Sequence, residues 1–122
     1  MNKQEIFDKL DKLDLDKEQY IVISGASLVV QDIIYETSDI DLSCSEEYYK
    51  NINWKTKNGY FNSKIKYRDC YEIGVNFYNP ENIIVIKGYK FMNLNDCLEL
   101  KKLEKRDKNL EIIKKLTKIL KI

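Results

Sequence analysis

Between Tyr20 and Cys44 the apolar pattern changes period twice, and that confines the chain to folds that lay a helix on a sheet. Tyr20–Ser24 (YIVIS) is short, apolar and β-branched, the composition of a buried strand. Gly25-Ala26-Ser27 breaks it. Leu28–Ile34 is apolar and followed by polar residues, and reads as a helix packed on that strand. After the turn signal Thr37-Ser38, Ile40, Leu42 and Cys44 alternate with Asp39, Asp41 and Ser43, the period-2 pattern of a half-buried strand.

The flanking segments extend this plan. Residues 3–16 place Ile6, Phe7, Leu10 and Leu13 at helical spacing, which predicts a first amphipathic helix. Ser45–Ile52 reads as a short helix capped by Ser45. Lys64–Arg68, Tyr71–Tyr78 and Asn82–Ile86 read as strands, with turn signals at Asn58-Gly59, near Asp69 and at Asn79-Pro80. A helix opens at Leu94-Asn95-Asp96 with Asn95 or Asp96 as its cap. Another runs from about Asp107 to Leu120, with Leu110, Ile113, Leu116 and Leu120 on one face. The expectation is one domain over residues 1–122, of α/β (α+β) class, with a single mixed sheet flanked by helices.

Composition narrows the chemistry. Histidine is absent, which excludes Ser-His-Asp and Cys-His catalysis and every His-ligated metal site. Cys44, Cys70 and Cys97 show no CxxC spacing and read as reduced thiols. No apolar run reaches the roughly 18–20 residues of a bilayer span, and the polar, acidic N-terminus has no signal-like stretch, so the expected location is cytoplasmic, without a membrane. Carboxylates, lysines, hydroxyls and backbone amides must therefore carry any chemistry.

Those groups concentrate in Ile21–Cys44. Asp39 and Asp41 lie two apart on a strand, so their carboxylates share a face with Cα atoms about 6–7 Å apart. Two such charges repel unless a cation bridges them, and hard oxygen donors suit Mg²⁺ or Mn²⁺. Upstream, the Gly25-Ala26-Ser27 break permits close backbone approach, and amides at a helix N-terminus cradle phosphate. The two halves make a candidate metal–triphosphate site.

In this order the residues resemble the polymerase-β-like nucleotidyltransferase superfamily, whose signature is a G-[GS] turn, 9–13 residues, then D-h-[DE]-h. Here Gly25-Ala26 is followed by twelve residues and then Asp39-Ile40-Asp41-Leu42, preceded by Thr37 as in the T-x-D-I-D-L form of small bacterial members. Leu98-Glu99-Leu100-Lys101 and Arg106-Asp107-Lys108-Asn109 match that group's L-x-x-K helix and R-x-K-D patch, with Asn109 where Asp is usual. The resemblance spans about Tyr20 to Leu116. It implies a nucleotidyltransferase-like fold and Mg²⁺-dependent transfer of an NMP from an NTP to a hydroxyl of a protein, RNA or small molecule. In it, Asp39 and Asp41 are metal ligands and catalytic residues. Gly25, Ala26 and Ser27 line the phosphates, and Lys101, Arg106 or Lys108 steadies the triphosphate or acceptor.

Two departures stand out. Active members supply a third carboxylate on a later strand, and Asn76 occupies the matching catalytic position in Gly74-Val75-Asn76-Phe77-Tyr78. Asn carries no charge and is a poor base. Glu72, four residues earlier on that strand's face, would stand about 13 Å from that position, and Asp69 falls in the turn. Ala26 replaces the second Gly or Ser of the turn. Small relatives act with partners in toxin–antitoxin and phage-resistance pairs, which implies a protein partner or a homo-oligomer.

Charge and aromatics bear on partners as well. Residues 1–50 carry −7 and residues 51–122 carry +8, with 9 bases against 3 acids from Lys101 onward. Eleven of the 14 aromatics fall between Tyr48 and Phe91, among them Tyr48-Tyr49, Trp54 and Tyr60-Phe61, interleaved with Lys50, Lys55, Lys57, Lys64 and Lys66. Such a strip fits a stacking surface for nucleic acid, a protein interface, or core. Three functions follow from this reading: the nucleotidyltransferase, a catalytically impaired binding or regulatory protein on the same fold, and a nucleic-acid module using basic helices that include Lys114 and Lys115.

Overall fold

The computed structural model describes residues 1–52, 55–57, 65–75 and 82–122. Helix α1 (Lys3–Lys12) starts with a capping box, in which the Asn2 side chain accepts from the Glu5 amide and the Glu5 carboxylate accepts from the Asn2 amide. It stops at Leu13, in extended conformation, short of the predicted residue 16. Asp14 and Asp16 would have put acids at the negative end of the helix dipole.

Strand β1 (Tyr20–Ile23) runs directly into α2 (Ser24–Val30), which starts four residues earlier than predicted. There follow β2 (Ile40–Cys44), α3 (Glu46–Lys50), β3 (Lys55–Lys57), β4 (Ile65–Arg68) and β5 (Tyr71–Val75). The chain closes with β6 (Ile84–Ile86), β7 (Tyr89–Phe91), α4 (Leu94–Glu104), a 3-10 turn (Asp107–Asn109) and α5 (Leu110–Leu120). Strands β3 and β7 were not expected from sequence. Lys87 and Gly88, both at positive φ, join β6 to β7 in the two-residue turn whose twist suits a hairpin. The cap of α4 is Asn93, whose side chain accepts from the Asp96 amide, rather than Asn95 or Asp96. The Asn58-Gly59 and Asn79-Pro80 signals, and Trp54, Tyr60, Phe61, Lys64 and Asn76, lie outside the described residues.

The strands form one mixed sheet in the order β3-β4-β5-β2-β1-β7-β6, bearing out the α+β expectation. β2 lies antiparallel to β1 and parallel to β5, and β1 lies parallel to β7. Alternation along the strands sends side chains to two cores. Tyr20, Val22, Ile40, Leu42, Tyr71 and Ile73 pack with Ile6, Phe7 and Leu10 of α1 and with Tyr49 of α3. Ile23 packs on the other side with Cys97 and Leu98 of α4 and Leu116 of α5. Helix α2 serves both, through Ala26, Val29 and Val30 in the first core and Leu28 in the second.

This second face is unequally apolar. β1 offers it Ile21 and Ile23, whereas their partners in register are Ser43 and Asp41 on β2, and next to those stand Gly74 and Glu72 on β5. Polar and small residues thus adjoin the apolar seat of α4 and α5. Among the described residues, no helix is long and apolar enough to cross a membrane.

Candidate functional site

The carboxylates meet at the centre of the sheet. Ile23 of β1, Asp41 of β2 and Glu72 of β5 are successive partners in register. Glu72 therefore lies across from Asp41, on the strand beside it. Measured along one strand from Asn76, Glu72 lies far off; the relevant neighbour is across strands, where spacing is about 5 Å. Asn76 itself lies outside the described residues. Asp69 takes no part: its carboxylate pairs with Lys9 of α1 at 3.5 Å.

Asp41 feels this placement. Its carboxyl is pushed up to about 7, first by desolvation, then by the charge and hydrogen-bonding proximity of Glu72, and then by Asp39. The Lys101 ammonium opposes the shift. Oδ1 of Asp41 is buried and has no hydrogen-bond partner. Asp39, exposed one residue before β2, accepts from the Ser38 hydroxyl at 3.4 Å. Among the described residues no group of three His, Cys, Asp or Glu side chains is arranged to hold a metal ion unaided. Yet the donor chemistry suits a hard divalent cation: carboxylate oxygens brought close together, with one buried oxygen unsatisfied. Asp41 and Glu72, with Asp39 nearby and further donors from ligand or solvent, are the residues that would hold it.

The residues of the phosphate half are placed as follows. Ser27 is fully buried; its hydroxyl donates to the Met92 carbonyl at 2.6 Å and accepts from the Gln31 amide group at 2.9 Å. That side chain ties α2 to the exit of strand β7. Ala26 is likewise buried in the first core. Ser24, which the sequence reading missed, stands at the turn with φ of 58° and its hydroxyl 3.2 Å from the Lys101 Nζ. Gly25 packs so closely on the segment before β2 that a Cβ there would lie 2.8 Å from the Thr37 Oγ1. The glycine thus joins the two motif halves.

Of the three predicted cations, only Lys101 reaches the centre. It is buried, with Nζ between the Ser24 hydroxyl and the Glu104 carboxylate at 3.7 Å. Arg106 and Lys108 are exposed on the connection after α4. Asn109 is buried, and its side-chain amide donates to the Lys101 carbonyl at 3.4 Å and the Glu104 carboxylate at 3.0 Å.

The other candidates among the described residues are placed as follows. Tyr49, Tyr71, Tyr89 and Phe91 of the aromatic strip are core residues. Lys114 pairs with Glu111, and Lys115 donates to the Ile33 carbonyl. The three thiols are free, each pushed up chiefly by burial, Cys44 to about 11 and Cys97 to about 12. A groove of about 550 Å³, lined by Val29, Ile33, Tyr35 and Lys115 among others, includes none of the three carboxylates.

No family model, curated protein or solved structure matches this chain.

Proposed function

We propose that the chain is a minimal metal-dependent nucleotidyltransferase, transferring an NMP from an NTP to an acceptor hydroxyl. The observation that carries the reading is the register of Asp41 against Glu72, which supplies a third carboxylate beside Asp39 and Asp41. A bound Mg²⁺ or Mn²⁺ would neutralise phosphate charge and lower the acceptor hydroxyl's pKa. Lys101, held by Ser24, offers the adjacent cation for the triphosphate. In the reaction the acceptor oxygen bonds to the α-phosphorus, the bond from that phosphorus to the bridging oxygen breaks, and pyrophosphate leaves. The hydroxyl proton passes to the carboxylate cluster.

Calorimetric titration with Mg·ATP tests this reading. Glu72→Gln and Asp41→Asn should each weaken metal-dependent binding by about tenfold or more, the loss of a charged contact. The same variants should abolish transfer of α-labelled nucleotide. Binding untouched by Glu72→Gln removes Glu72 from the site. Asn76, which stands where the resemblance expects a carboxylate, favours a second reading, a catalytically impaired regulatory protein on this fold. In that case Mg·ATP binds neither wild type nor variant, and Asp39→Asn leaves the biological effect intact.

A further inference from the structure

We propose that Glu104 and Asn109 are positioning residues that hold Lys101 for an anionic ligand, an inference that rests on reading Asp41, Glu72 and Lys101 as a triphosphate site. Four polar groups from three segments form one chain, in which Ser24, Lys101 and Asn109 are buried and Glu104 half-buried. It runs from the Ser24 hydroxyl to the Lys101 ammonium, on to the Glu104 carboxylate, and then to the Asn109 carboxamide.

Asn109 closes this chain on itself. Its amide nitrogen reaches two acceptors, the Lys101 carbonyl and the Glu104 carboxylate, and this fixes which way the carboxamide points. The Lys101 carbonyl lies in the last turn of α4, so this bond reaches the helix end. A single side chain from the 3-10 turn thus bonds the last turn of α4 and the carboxylate three residues along from Lys101. Asn109 is 1% exposed and its Oδ1 has no hydrogen-bond partner. A residue kept there for burial alone would not leave a polar atom unsatisfied.

The pair also accounts for the departure at position 109. An Asp there would set a second carboxylate against Glu104 and lose the donor to the Lys101 carbonyl. Here Glu104 provides the negative charge and Asn109 the donor. A lysine buried to this extent has a flexible stem, and its ammonium is useful only where fixed partners hold it. Ser24 holds it from the strand side and Glu104 from the helix side.

Magnesium tripolyphosphate, which carries no base, is the probe. Affinity is measured for wild type, Lys101→Met, Asn109→Asp and Glu104→Gln, together with the thermal midpoint of each. The ¹⁵Nζ ammonium resonance of Lys101, assigned by its loss in Lys101→Met, reports the placement of the amine. Asn109→Asp should weaken binding about tenfold and Glu104→Gln about threefold or more, both with a shifted or broadened Lys101 resonance. If Asn109→Asp does not fold, Glu104→Gln carries the test alone. Unchanged affinity and resonance in the folded variants overturn the inference. So does tighter binding by Glu104→Gln, which would make Glu104 a competitor of the anion. If Lys101→Met binds like wild type, the triphosphate reading itself fails; if it loses binding while the other two keep it, only the positioning role fails.

Discussion

Asp41 is asked to do two incompatible things, to sit in a sheet and to carry charge. Burial and the neighbouring Glu72 raise its carboxyl to about 7, against roughly 4 for an unfolded chain. Between those values the folded protein holds a proton that the unfolded chain has lost. Stability therefore falls as pH rises through that window and levels off above it. Asp41→Asn has no proton to lose, so in metal-free buffer it should lack this fall. At pH 8 it should be more stable than wild type by about 1–3 kcal/mol, while binding metal and nucleotide worse. Urea unfolding at pH 4.5, 6 and 8 measures both slopes. A wild type and variant with parallel pH profiles would mean that Asp41 is not strained by its neighbours. Added Mg²⁺ should reverse the order, stabilising wild type alone.

At the scale of elements, the decisive join is where β1 turns into α2. Gly25 has an ordinary helical backbone, so its role is space: a Cβ would lie 2.8 Å from the Thr37 Oγ1 and 3.5 Å from the Thr37 Cβ. Gly25→Ala should therefore cost about 1–2 kcal/mol despite the better helix propensity of Ala. In a Thr37→Ala background the close atom is gone, the 3.5 Å contact is ordinary, and the same substitution should become neutral or stabilising. A double-mutant cycle by thermal unfolding reads that change of sign; equal costs in both backgrounds would separate the two motif halves. Much of this join was legible in sequence, because Gly25 and the Asp39–Asp41 alternation are local signals. The beginning of α2 at Ser24 was not, since Ser-Gly has poor helix propensity and only packing in two cores overrides it. Asn93, Asn95 and Asp96 are all good caps, so residue type alone could not choose among them. The place of Glu72 opposite Asp41 was invisible for a different reason. The parallel pairing of β2 with β5 is non-local, and register across strands is not written in either strand alone.

For the whole molecule, the site depends on a helix that contributes nothing to it directly. α5 rests on the sheet side through Leu116, its one fully buried residue, and through the Lys115 bond to the Ile33 carbonyl. It packs on α4, the helix that carries Lys101 to Ser24. Leu116→Ala should cost about 2–4 kcal/mol, as expected for a leucine truncated in a packed core. The loss should not stay on its own side of the sheet. Because α2 places Leu28 in one core and Ala26, Val29 and Val30 in the other, loosening the α4–α5 layer removes the support of a helix that α1 also packs on. Native-state hydrogen exchange should then show protection falling by similar amounts in α1 and α5, the mark of one cooperative unit. Loss confined to α5 and α4, with α1 unchanged, would instead show two cores that open separately. In that case α4 could release Lys101 without unfolding the carboxylate strands.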